Sequence, residues 1–434
     1  MGPAAAVVAL GAILLSGCGT SGRSSCAAPP SSPATLSGND RRDPLIASDG
    51  GGGMVAIWES LTGGPVEGSV HTTDTWSTAA PLSGRYARFP SVAVSPNGAA
   101  IVTWQLPFSA HTTTVQVTTR DTGGMWSAPV DVSPPGTQAR EPRLALTGDG
   151  TALLVWRRDT GGGDTVIEAT ERPPGGQWSP PRGLSDPTVR AKRPRLAIAP
   201  NGAAALVWEQ TVDGRLTVVA ATRDPDGRWT DPVTLTGATA AGHEPNVAIG
   251  PTGTATAVWI EETSGGAAVM AASRTAGGVW PAPVVIGRGS ALPHETPRPG
   301  RAETGADVAA LPDGRIAAVW TIVDGTTNRA QAAVTRLDGT WTAATALSKP
   351  GAAASGVQVV ALAGGDFSAG WEELDGGLIR ARVARLAQDG SVSLCTDVTA
   401  AVAESGAVRL VGGSAPTAVF VDLNRSRVQV APIP

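Results

Sequence analysis

The sequence predicts an all-β protein, a β-propeller built from four-stranded blades. Three observations carry this prediction. Tryptophans recur at two fixed places in a repeat of about 50 residues. Each repeat holds four short apolar runs separated by turn residues, the pattern of antiparallel strands. The composition, 55 Gly and 35 Pro among 434 residues with 16% charged side chains, suits many short strands joined by tight turns and does not suit a helical protein.

The repeat is cleanest over 194–237, where runs at 195–199, 203–208, 216–222 and 229–236 read as the four strands of one unit. A leading proline opens the first strand, as at Pro90, Pro142, Pro194 and Pro245, where a missing N–H costs no ladder bond. Asn97-Gly98, Asp149-Gly150, Asn201-Gly202 and Asp313-Gly314 then make tight hairpin turns into the second strand. Trp58, Trp104, Trp156, Trp208, Trp259, Trp320 and Trp371 end that second strand. Trp76, Trp126, Trp178, Trp229, Trp280 and Trp341 follow 18 to 22 residues later and begin the fourth. One such sheet cannot bury both its faces, so each unit needs copies of itself as neighbours. A Trp at these places acts as a wedge between sheets, burying ~150–250 Å². Repeats of this size with four strands each mean a propeller.

Phe420 falls 49 residues after Trp371 and marks an eighth unit. That unit supplies strands at 407–411, 417–422 and 427–431 and lacks a fourth. Residues 33–38 parallel the fourth strand at 232–237, so they are expected to complete it. The prediction is eight blades, with seven as the alternative, closed by pairing of the N- and C-terminal strands. An open ring would leave unpaired edges.

Residues 4–15 form an apolar run too short to span a bilayer as a helix. It ends in Leu15-Ser16-Gly17-Cys18, which resembles a bacterial lipobox. The resemblance implies a signal peptide over 1–17, lipid attachment at Cys18, a tether over 18–32 and a single domain over 33–434. It also implies membrane anchoring on the outer face of the cell envelope. In an oxidising compartment the two other cysteines, Cys26 and Cys395, are a candidate disulfide at the rim of neighbouring blades. A net charge of −4 with no block of like charges gives no nucleic-acid signal.

Thr119, Asp121, Gly123 and Trp126 match the Asp-box pattern, and the chain resembles sialidase-like propellers in this turn. Residues 273–280 lack only the Asp, and 222–229 shift the Gly by one. The resemblance implies the fold, because Asp-boxes are structural turns in that family. The family's catalytic Tyr–Glu pair finds no match: the only tyrosine, Tyr86, lies in the link to unit 2.

The connections from fourth to first strand and from second to third share one face. Two positions before the leading proline stand Arg42, Arg88, Arg140, Lys192 and His243, in five consecutive units. They are predicted to crowd around the channel mouth as a ligand-binding crescent. Glu59, Gln105, Arg157, Glu209, Glu261, Glu262, Glu372 and Glu373 follow the second strand on the same face, and Glu209 and Glu261 complete the candidate site. The longest insertion, 287–306, also falls here, with His294, Glu295, Arg298, Arg301 and Glu303. The four histidines are scattered without metal-ligand spacing, and no nucleophile elbow or phosphate loop is present, so no metal, cofactor or catalytic residue is expected. The functional expectation is a surface-anchored, non-catalytic binding or scaffold module for a protein or an anionic envelope glycan. The alternative is a sialidase-like glycoside hydrolase, which would bring a Tyr, Glu and Asp group together beside the Arg ring in a deep pocket.

Overall fold

The computed structural model describes residues 26, 32–72, 74–109, 112–290, 305–393, 395–398 and 405–433. Cys18, the signal segment and residues 291–304 of the insertion, with His294, Glu295, Arg298, Arg301 and Glu303, lie outside the described residues. Every regular element among the described residues is a strand.

Unit 4 shows the plan. Arg190–Ile198, Ala204–Val212, Arg215–Arg223 and Val233–Thr234 pair antiparallel in chain order. The same order recurs from Arg88–Val94 through Val130–Asp131, and on to Ala354–Ala361 through Thr396–Asp397. Each first strand packs on the first strand of the next unit, and the last of them, Ser405–Val411, packs on Arg41–Ser48. The sheets remain open and none closes on itself. One parallel bridge, Thr165 with Arg190, links units 3 and 4. Where the chain ends meet, Ala34–Thr35 lies antiparallel on Arg427–Pro432, with Ala34 opposite Val430. The Ser37 hydroxyl accepts the Val428 N–H at 2.8 Å. Cys26 and Cys395 form a disulfide with Cα atoms 4.9 Å apart.

The fourth strand is shorter than the sequence predicts. The run at 229–236 contributes only Val233–Thr234 to the ladder. Pro232 removes a donor just before it, and Trp229 instead makes an isolated bridge with Arg223 that closes the preceding turn.

The seven second-strand tryptophans are fully buried. A buried indole N–H needs an acceptor, and in every unit a Glu or Gln supplies one. It stands directly across the ladder for Trp58 (Glu67), Trp104 (Gln116), Trp156 (Glu168) and Trp320 (Gln331). It lies two residues on for Trp208 (Gln210), Trp259 (Glu261) and Trp371 (Glu373). Of the second series only Trp229 is buried; Trp76, Trp126, Trp178, Trp280 and Trp341 are half-buried, so core status does not extend to all thirteen.

Candidate functional site

The site is built by a bulge that the sequence patterning does not reveal. The first strand shifts register between Arg42 and Leu45, and likewise between Arg88 and Ser91, Arg140 and Arg143, Lys192 and Arg195, and His243 and Asn246. Inside the bulge the residue before the leading proline takes a left-handed backbone: Asp43 (φ 47°), Phe89 (51°), Glu141 (56°), Arg193 (54°) and Glu244 (51°). Each costs of order 1–3 kcal/mol outside glycine, so something must hold it. The holding group is an acceptor from the preceding unit. Glu59 accepts the Phe89 N–H at 2.5 Å, Gln105 the Glu141 N–H at 3.0 Å, and Glu209 the Glu244 N–H at 2.8 Å. In unit 3 the residue after the tryptophan is Arg157, which cannot accept. There Glu141 takes over and binds the Arg193 N–H at 2.8 Å.

These latches account for the predicted crescent, and they remove it from the central cavity. Arg42 pairs with Glu59 (3.2 Å) and Asp43 (3.4 Å), and Arg88 with Glu59 (3.6 Å) and the Ser60 carbonyl (2.7 Å). Arg140 donates to Gln138. Lys192 pairs with the fully buried Glu209 at 3.2 Å. Burial pushes the His243 pKa down, against the pull of Glu209 and Glu262, so its ring is neutral at neutral pH. Glu261 is the acceptor for Trp259, at 3.0 Å. Glu373 serves Trp371 and the buried Arg382, at 2.8 and 2.6 Å. The bulge turns the side chain two places before the proline toward the second strand, where the carboxylates stand.

The same bulge turns the residue after the proline inward. One cavity of about 290 Å³ is lined by first-strand residues of all the units: Leu45, Ser91, Arg143, Arg195, Asn246, Asp307, Gln358 and Arg409, together with Asp43, Glu59 and Phe89. Sequence reasoning missed this set. Its one visible signal was arginine recurring next to the proline, in 142–143 and 194–195, at an otherwise apolar inner strand.

Asp307 is the chemically distinct member. Its carboxylate accepts the Asn246 side-chain N–H at 2.7 Å and the Val359 N–H at 2.9 Å. Burial nevertheless lifts its pKa to about 6, against the backbone amides and the nearby Arg409 and Arg195. Burial also raises Glu59, helped by the negative Asp43. Arg409 is pushed down by burial, although Asp43, Glu372 and Asp307 favour its charge. The cavity thus combines an acid that holds its proton up to about pH 6, two further carboxyl groups and three guanidiniums. Among the described residues no group of His, Cys, Asp and Glu could hold a metal ion.

This fold defines a β-propeller-type protein. No protein-family model and no curated protein matches the sequence. Solved structures do resemble it. A lectin of Burkholderia pseudomallei matches with TM-score 0.55 and 15% identity, over 82% of this chain and 98% of the lectin. An ulvan lyase of a polysaccharide lyase family matches with TM-score 0.51 and 10% identity, over 85% of this chain and 98% of the lyase. An α-L-arabinofuranosidase of Fusarium graminearum matches with TM-score 0.43 and 15% identity, over 71% and 98%. The likeness to the ulvan lyase, a glycan-cleaving enzyme by name, runs against the expectation of a non-catalytic binding or scaffold module and corrects it. The physical counterpart is the cavity itself, which gathers acids beside arginines where that expectation required only paired charges.

Proposed function

We propose that the chain is a glycoside-cleaving enzyme that acts at the central cavity on a glycan bearing anionic groups. The observation that carries this reading is Asp307, an acid lifted to about 6 in the same cavity as Arg143, Arg195 and Arg409. A carboxyl group with a raised pKa can give its proton to a departing glycosidic oxygen. Asn246 and the Val359 amide fix its orientation. The second carboxylate that glycoside hydrolysis needs comes from unit 1, where Asp43 and Glu59 line the same cavity. The arginines hold the substrate's carboxylate or sulfate by paired N–H donors. The lectin and the ulvan lyase, both glycan-directed by name, support a saccharide ligand for this architecture. No tyrosine lines the cavity, so the sialidase Tyr–Glu nucleophile forms no part of this reading. The test is release of reducing ends from uronate-bearing and sulfated polysaccharides at pH 5–7. Asp307→Asn should lower the rate 10²–10⁴-fold, and an active Asp307→Asn variant would sink the assignment.

The wider setting belongs to the same proposal. The chain forms an eight-bladed ring whose last blade takes three strands from the C-terminal end and one from the N-terminal end. The pairing of Ala34–Thr35 with Arg427–Pro432 and the contact of Ser405–Val411 with Arg41–Ser48 support this. A lipid on Cys18 anchors it to the outer face of the envelope, so that the cavity meets external polymer. Metabolic labelling with palmitate should mark the wild type and not Cys18→Ser; equal labelling would remove the anchor.

A further inference from the structure

At the opposite strand ends, between units 2 and 3, lies a cavity of about 500 Å³ that the central site does not use. We propose that it is a second carbohydrate site, one that takes an uncharged sugar residue.

The two neighbouring grooves differ from this one, one bolted and one far smaller. Between units 3 and 4, Glu171 on one third strand bolts Arg223 on the next by an ion pair. Between units 4 and 5 the corresponding space shrinks to about 40 Å³. In unit 2 the place of Glu171 is taken by Thr119, as it is by Thr222 in unit 4; Arg172 across the groove receives no carboxylate from it and turns its Nε to the Gly176 carbonyl at 2.9 Å, as Arg274 does to the Gly278 carbonyl. The groove between units 2 and 3 is thus unbolted and, unlike that between units 4 and 5, also wide. Trp126 is half-buried, as are four of its five counterparts, and Met125 beside it is 72% exposed, so both present apolar surface to the groove.

The lining says what fits. Trp126 and Met125 offer a flat apolar surface suited to the C–H face of a sugar ring. Arg120 and Arg172 are donors for hydroxyl oxygens, and Asp121 and Asp149 are acceptors for hydroxyl protons. The Arg120 Nε is buried with no hydrogen-bond partner. Hydrogen bonds from Thr147 and Thr151 hold Asp149 below the usual carboxylate range, so it is ionised at neutral pH. Two cations against two carboxylates leave the groove without net charge, which favours a neutral saccharide over an anionic one. Aromatic surface with convergent polar groups in a concave site is the usual make-up of a small-ligand pocket.

The test leaves the central chemistry untouched. Thr119→Glu copies the bolt of the next groove and should close this one while the fold is retained, as thermal melting would show. Calorimetric titration of the full chain uses a panel of neutral gluco-, manno-, galacto- and arabino-hexaoses. Wild type and Asp307→Asn should bind at least one of them with equal affinity, and Thr119→Glu and Trp126→Ala should weaken that binding tenfold or more. Three results would overturn the proposal: no neutral oligosaccharide binds the wild type, Thr119→Glu binds as well as wild type, or Asp307→Asn is the variant that loses binding. Cleavage at Asp307 and binding here can each fail without the other.

Discussion

At Asp307 two tendencies oppose each other. Burial favours the neutral acid, while the Val359 and Val308 amides and two guanidiniums favour the carboxylate; burial prevails and the pKa rises from 3.8 to about 6. Between those values the folded chain holds more protons than the unfolded chain, so this residue's contribution to stability falls as pH rises from about 4 to 6. The loss reaches at most about 3 kcal/mol and persists at neutral pH. Asp307→Asn removes the titration and keeps an acceptor for the Val359 N–H. Its melting temperature should therefore exceed that of wild type at pH 7 and match it at pH 4, together with the loss of cleavage given above. A variant less stable at pH 7 would show that the carboxylate is held for structure and not for chemistry.

The first-strand bulge, present in every unit but the sixth among the described residues, is the element on which most of the site depends. It sends alternate residues to opposite destinations: Arg42, Arg88 and Lys192 outward to the inter-unit carboxylates, and Arg143, Arg195 and Asn246 inward, while Asp307 reaches the cavity from a first strand paired in continuous register. The bulge survives its backbone cost through latches such as Glu209, fully buried, which binds the Glu244 N–H, Lys192 and Arg193 at 2.8, 3.2 and 3.4 Å. Glu209→Ala abandons all three partners and should cost about 3–5 kcal/mol. Glu209→Gln preserves an acceptor for the Glu244 amide and should cost clearly less in denaturant unfolding. Equal losses for the two variants would mean that the amide latch contributes nothing. The pairing of basic residues with carboxylates was visible in the sequence as a mixture of signs on one face. Which carboxylate meets which cation was not, because partners such as Glu59 and Arg88 stand in different units and the bulge decides their register.

For the whole molecule, the chain ends matter more than their composition indicates. Residues 19–38 look like a disposable linker by composition, yet, as the likeness of 33–38 to 232–237 led one to expect, Ala34–Thr35 adds a strand to Arg427–Pro432, and Cys26 is bonded to Cys395 across 369 residues of chain. A crosslink closing so long a loop restricts the unfolded chain strongly, and its removal typically costs about 2–5 kcal/mol. Cys26→Ser should therefore lower the thermal midpoint, and deletion of 19–38 should lower it further because the strand is lost as well. If the deletion melted no lower than Cys26→Ser, the strand pairing would carry no stability of its own.

Local rules already determined much of this protein. Proline at the strand start, Asn-Gly and Asp-Gly turns and buried tryptophans at a fixed period act over a few residues, so the four-stranded unit and its repetition could be read directly from the sequence. The length of the fourth strand could have been read too, since the proline that shortens it stands in plain view at Pro232. Tertiary structure alone decided which residues face the cavity. A side chain's face in a strand reverses with each one-residue shift in register, and here the shift is a left-handed residue stabilised by an acceptor from another unit. That displacement turns Arg42, Arg88, Arg140, Lys192 and His243 away from the cavity and brings Arg143, Arg195 and Arg409 to line it beside Asp307. The raised pKa of Asp307 belongs to the same category, because desolvation depends on what the other units place around a carboxyl group and not on its neighbours in the chain.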